Sequence, residues 1–183
     1  MTPEEFLAWE TEQSTRHEFI EGQIHPMPDS NLWHSEIGSN LLDALKSRAP
    51  RSHAVFKSEV KVRVGANFLY PDVIVHRRSF TPRDQVLTEP VLLAEVLSPL
   101  AEPGNEHGKW VLYQRLPSLQ TFMFLAQHDV LVEVYRRDGS SWIYTCHRDP
   151  DDVLELSEPA LVIPVRELYA GIDGLDPTIP AAG

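Results

Sequence analysis

Two carboxylates stand in runs of sequence that should not hold a charge. Asp72 follows a proline in YPDVIV, and Glu95 is the only charged residue between Pro90 and Pro99 in PVLLAEVLSP. A strand of that composition is normally buried on both faces. An ionised carboxylate is almost never buried without a partner or a metal. If the two segments pair as strands, Asp72 and Glu95 converge, and a divalent cation relieves their repulsion. Mg²⁺, or Mn²⁺ in its place, takes such oxygen ligands together with waters and substrate phosphate. Lys109 follows Glu95 by 14 positions, in the next helix-forming segment, and Tyr113 lies four residues further on the same helix face. A lysine beside such a site can orient an attacking water or neutralise charge that develops on phosphorus.

The elements that must position these side chains can be read from periodicity. Residues 2–13 form a helix, with Thr2 as cap, Pro3 in the first turn and Glu5 completing a capping box. HEFIEGQIHPM alternates, so that Glu18 shares a strand face with Ile20 and Ile24; Gly22 is a place for a turn or bulge that would split the run into a hairpin. A Glu18 on the isoleucine side points inward, as a further acid for the site. DSNLWHSEIGSNLLDALKSR is a second helix, capped by Asp29, Ser30 or Asn31, with Ile37, Leu41 and Leu45 as its apolar stripe. His34 sits in its first turn, either as a surface residue of the cap or as a neutral imidazole that orients water or touches phosphate.

HAVFKSEVKVRV and NFLYPDVIV read as strands, as do PVLLAEVLSP, QTFMFLAQ, LVEVYRR and SWIYTCH, the last two joined by a turn at Asp138-Gly139. A helix from about Glu106 to Leu116 follows the LAEPGN loop, and VRELYAGI is a short final helix. The order implies an α/β protein with a mixed central sheet flanked by helices, as one domain over residues 1–175 and a frayed tail over 176–183. Lys57, Lys61, Arg63, Arg77, Arg78 and Arg83 form either a basic edge for nucleic acid, with Lys57 and Arg77 contacting substrate, or ordinary solvent-facing charge.

Composition narrows the field. The chain has 183 residues, 42% of them hydrophobic, which is enough for a proper core and leaves little room for a second domain. No apolar run approaches the roughly 20 residues of a membrane span. The acidic start, MTPEEFLAWE, lacks the marks of a signal peptide, and the single cysteine, Cys146, excludes an internal disulfide, so a cytoplasmic location is expected. Cys146 reads as a packed strand residue. A net charge of −11 argues against a protein that simply coats nucleic acid, but is compatible with an enzyme that holds cations in an acidic site. The sequence has no zinc signature, glycine-rich phosphate loop or G-x-S-x-G elbow.

HEFIEGQI, the WH that opens the second helix, YPDVIV, LLAEVLSP and GKWVLYQRLPSLQTF are also the marks of a known pattern. From about Thr2 to Ile172 the chain resembles the Uma2-type (DUF820) family of restriction-endonuclease-like proteins, within the PD-(D/E)XK nuclease superfamily. The resemblance implies a restriction-endonuclease-like fold and Mg²⁺-dependent hydrolysis of phosphodiester bonds in DNA by a metal-activated water. It implies Asp72, Glu95 and Glu18 as metal ligands, with Lys109 and His34 completing the catalytic set. Tyr113, on the Lys109 face of its helix, is either a packing residue or a substrate contact. The usual motif places its lysine two residues after the second acid; Leu97 stands there, and the family moves the lysine to the following helix, where Lys109 matches. The aspartate usual four residues before that lysine is Asn105 here, and Glu106, His107 and Gly108 replace the family's R-G-E. A homodimer is expected, since restriction-type nucleases often act as dimers. The alternative is a nuclease-fold binding or assembly module with weak or lost chemistry. It would engage another protein, or pair with itself through QTFMFLAQ and LVEVYRR.

Overall fold

The first helix, α1 (Pro3–Glu10), begins on the capping box that its sequence spells. The Thr2 hydroxyl accepts from the Glu5 N–H at 3.1 Å, and the Glu5 carboxylate accepts from the Thr2 N–H at 2.7 Å. Two short strands follow, β1 (His17–Ile20) and β2 (Gln23–Pro26). They form a hairpin, because Glu21 (φ 51°) and Gly22 (φ 85°) take the left-handed conformations of a two-residue turn. Asn31 caps α2 (Leu32–Arg48) by accepting from the His34 N–H at 2.9 Å. The computed structural model describes residues 1–27, 30–97, 105–172 and 175, and the side chains of 105–107 lie outside the description; so do Asp29 and the 176–183 tail.

The next two long alternating runs are each broken in two. HAVFKSEVKVRV yields β3 (His53–Lys57) and β4 (Lys61–Val64), because the Glu59 N–H turns back onto the Lys57 carbonyl at 2.6 Å. NFLYPDVIV yields β5 (Asn67–Leu69) and β6 (Val73–Arg77). Pro71 has no N–H for a ladder, and the Tyr70 N–H donates at 3.0 Å to the Glu18 carboxylate instead of to a strand. Then come β7 (Val86–Leu87), β8 (Pro90–Val96), α3 (Asn105–Tyr113), β9 (Thr121–Leu125), β10 (Val132–Asp138) and β11 (Ser141–His147). The chain ends with a hairpin of β12 (Val153–Ser157) and β13 (Ala160–Pro164), which alternation had not marked, and with α4 (Val165–Leu168).

The halves of each broken run enter different sheets. A six-stranded sheet has the order β11-β10-β9-β8-β6-β3, and a five-stranded sheet the order β2-β1-β5-β4-β7. In the larger sheet only β8 and β9 are parallel, and α3 is the crossover that parallel pairing requires. Ile37, Leu41 and Leu45 of α2 pack against Val73, Val75, Leu92 and Ala94 on one face of this sheet, beside Leu168 of α4. On the other face, Trp110 and Tyr113 of α3 and Val62, Val64 and Leu69 of the smaller sheet pack against Ile74, Leu93 and Phe122. The expected α/β architecture, a mixed sheet flanked by helices, is therefore the observed one. No helix among the described residues is long and apolar enough to cross a membrane.

Two sequence expectations are corrected. All five residues of β9 are buried between β8 and β10, so QTFMFLAQ cannot serve as a subunit interface. Cys146 is exposed on β11, the edge strand of its sheet, where four of the other six positions are likewise open to solvent.

Candidate active site

Glu95 is the penultimate residue of a strand buried at all seven positions. Its neighbours Leu93 and Val91 alternate with Leu92, Ala94 and Val96, so the strand turns the carboxylate toward α3. Lys109 and Tyr113 are one helical turn apart on α3 and both reach it. The Tyr113 hydroxyl donates to Glu95 Oε1 at 2.8 Å, and Lys109 Nζ is 3.8 Å from the same oxygen. Lys109 donates more closely, at 2.8 Å, to Glu18 Oε1. Glu18 therefore ties three segments together, since its Oε1 also accepts the Tyr70 N–H.

Asp72 arrives from the other side. The register of β6 with β8 pairs Val73 with Ala94, so one further step sets Asp72 opposite Glu95. Its Oδ2 accepts from the Val96 N–H at 2.8 Å, so the side chain continues the ladder that Pro71 interrupts. His34 Nε2, from the first turn of α2, lies 3.2 Å from the same oxygen. Asp72, Glu95, Lys109, Glu18 and His34 all line one cavity of about 570 Å³.

The electrostatics of the cavity follow from burial and crowding. Burial pushes the Glu95 carboxyl up to about 8; the Lys109 ammonium opposes the rise, while the Asp72 and Glu18 carboxylates add to it. Burial works to lower Lys109, but Glu95 and Glu18 outweigh it and hold the ammonium above its ordinary value. Burial and the nearby Glu95 carboxylate raise the Tyr113 phenol far above its ordinary range, so Tyr113 acts there as a hydrogen-bond donor. In water near neutral pH, Glu95 thus holds a proton that a cation could displace.

Among the described residues no three His, Cys, Asp or Glu side chains gather at metal-binding spacing. The acids of the cavity offer hard oxygen donors, and Asp72 and Glu95 are a pair rather than a cage. That set suits Mg²⁺, which keeps several waters and binds through one or two carboxylates plus substrate phosphate.

The remaining expected contacts divide. Lys57 lines the cavity and donates to Ser39 Oγ at 3.1 Å. Arg77 does not line it. Asp72 precedes β6 and Arg77 ends it, and the Arg77 guanidinium donates to Glu158 at 3.1 Å. Tyr113 touches Glu95 from within the core, fully buried.

One buried acid of the cavity was not anticipated. Glu10, 7% exposed at the end of α1, accepts from the Tyr70 hydroxyl at 2.9 Å and the His17 N–H at 3.0 Å. Lys61 Nζ is 2.7 Å from its other oxygen. The available signal was spacing: Glu10 is four residues after Phe6, whose ring stacks on Phe19 and Phe68 at 5.0 and 5.8 Å. A carboxylate on the apolar side of a helix is the same anomaly as Glu95 in its strand.

Comparison with known proteins gives these residues a context. Residues 3–166 match the family Uma2, described as "Putative restriction endonuclease". The uncharacterized Synechocystis sp. protein slr1290 is 31% identical over 180 residues, covering 94% of this chain and 93% of its own. A second uncharacterized Synechocystis protein, sll1609, is 30% identical over 152 residues, 79% of this chain and 86% of its own. The crystal structure of a "putative nuclease belonging to DUF820" from Anabaena variabilis superposes with a TM-score of 0.78 at 23% identity, over 93% of this chain and 98% of that one. That likeness carries the fold.

Proposed function

Because this chain belongs to the Uma2 family, we propose that it is a Mg²⁺- or Mn²⁺-dependent endonuclease that hydrolyses phosphodiester bonds in DNA. The observation that carries the reading is the meeting of Asp72, Glu95 and Lys109 in one cavity, brought there by β6, β8 and the β8–β9 crossover helix. Asp72 and Glu95 are the cation ligands and Glu18 the third acid. The bound cation supplies charge that polarises the phosphate and acidifies water. Lys109 keeps its ammonium charge, orients the attacking water and balances charge on the phosphoryl oxygens. Tyr113 holds Glu95 and His34 holds Asp72, so the two carboxylates face the cavity in fixed orientations.

The test is cleavage of supercoiled plasmid and of single-stranded oligonucleotide with Mg²⁺ or Mn²⁺, wild type against Glu95→Gln. Metal-dependent cutting that vanishes in a folded mutant supports the reading. Equal cutting by both proteins means that the acids are misassigned. One observation favours a second reading, a nuclease-fold binding module without chemistry: Lys109 sits 2.8 Å from Glu18 and 3.8 Å from Glu95, closing an ion network that needs no cation. Absence of both cutting and calorimetric Mg²⁺ binding would select it.

A further inference from the structure

The cations that line the cavity fall into two groups. Lys109 and Lys61 are neutralised, by Glu18 and by Glu10 respectively. Arg16 and Lys57 are not: among the described residues neither has a carboxylate within ion-pair distance. Both are nonetheless held in place, and by neutral acceptors. Arg16 Nη1 donates to the Ser58 carbonyl at 2.6 Å, its guanidinium lies 5.9 Å from the centre of the Tyr70 ring, and its own carbonyl accepts from the Met27 N–H at 3.0 Å. Lys57 donates to Ser39 Oγ, which in turn donates to the Ser35 carbonyl at 2.7 Å. Ser58 directly follows Lys57, so both cations are tied to the turn between β3 and β4.

We propose that Arg16 and Lys57 form a phosphate clamp that grips the DNA backbone beside the reacting bond. The substrate class rests on the nuclease reading; the clamp itself is a binding site. Fixing a cation with neutral acceptors restrains the side chain without cancelling its charge. Arg16 spends one of five donors on Ser58, and its remaining fork matches phosphate; Lys57 spends one of three on Ser39. In a chain of net charge −11 the surface repels a polyanion, so two uncancelled cations at the rim of an acidic cavity decide where a strand can enter. Ordering them beforehand lowers the entropic cost of seating the strand.

Fluorescence anisotropy with labelled 20-mer DNA, single-stranded and duplex, in EDTA and across a salt series tests the clamp without any cleavage. Arg16→Ala and Lys57→Ala should each weaken binding several-fold. Each should also flatten the slope of log K against log salt by about 0.7 for single strands or 0.9 for duplex. Arg16→Lys should restore the slope. Arg51→Ala changes net charge equally but removes an exposed cation outside the cavity, and should leave the slope unchanged. The proposal is overturned if the folded Arg16 and Lys57 variants behave like Arg51→Ala, or if wild type binds neither DNA at about 25 mM salt, where phosphate contacts are strongest. Clamp-dependent binding without Mg²⁺- or Mn²⁺-dependent cutting would keep the clamp and sink the nuclease; cutting with unaltered binding in the variants would do the reverse.

Discussion

Glu95 should make the metal-free protein lose stability as pH rises. Its folded value of about 8 lies above the ordinary 4.5. Between those two values the folded chain binds one more proton than the unfolded chain, so unfolding free energy falls with pH. The contribution is fully present below pH 4.5 and is lost as pH climbs through 8. The gap between 4.5 and about 8, at about 1.4 kcal/mol per pH unit, sets a ceiling of about 5 kcal/mol. Relaxation and water entry around the ionised carboxylate reduce this, leaving an expected loss of about 2–5 kcal/mol. Lys109 stays charged throughout, because its own shift is upward. Urea unfolding of wild type and Glu95→Gln in EDTA, at intervals from pH 5 to 9, isolates the term as the difference between the two curves. Mg²⁺ should shrink the wild-type loss, since a cation then takes the place of the proton. Parallel pH curves for the two proteins in EDTA would refute the reasoning.

Three other outcomes are expected. Tyr113→Phe removes the 2.8 Å hydrogen bond to buried Glu95 and should cost about 1–3 kcal/mol in chemical denaturation while weakening calorimetric Mg²⁺ binding. Lys109→Met leaves Glu18 and Glu95 without their cation; it should cost about 3–5 kcal/mol at pH 8 and less at pH 5, where Glu95 is protonated, measured by urea midpoints. Gly139→Ala forces a side chain onto φ 60° in the β10–β11 turn and should cost about 1 kcal/mol by thermal unfolding without altering DNA binding.

Much of this arrangement is legible before any coordinates, for identifiable reasons. The capping box of α1, the Asn31 cap and the Glu21-Gly22 turn are local, and short sequences specify them. Glu95 is visible because a lone charge in an apolar strand needs an explanation, and Lys109 because it stands in the helix-forming segment that follows, where the family pattern places its lysine. What sequence hides is set by contacts between distant segments. The alternation through 53–64 continues across Ser58 to Val60, so nothing local announces that β3 and β4 belong to different sheets. Glu10 joins the cavity through Tyr70, 60 positions away, and through Lys61 on β4. Arg77 has the composition of a substrate contact but ends its strand beside Glu158, a partner 81 positions later. Cys146 lies exposed on β11, the last strand of its sheet, and strand order is not written in any one strand.

The parallel pairing of β8 with β9 also sets when a growing chain can assemble its acidic cavity. A ribosome has already made Glu18, Asp72, Glu95 and Lys109 before it reaches β9. Yet α3 is a crossover, and its seat on the sheet includes Phe122 and Phe124, which arrive with that later strand. Non-local strand pairing of this kind forms late and slowly. Until β9 docks, Lys109 has no fixed address beside the acids. A nascent or truncated chain ending before residue 121 therefore carries all four of these side chains and no assembled cavity to hold them together.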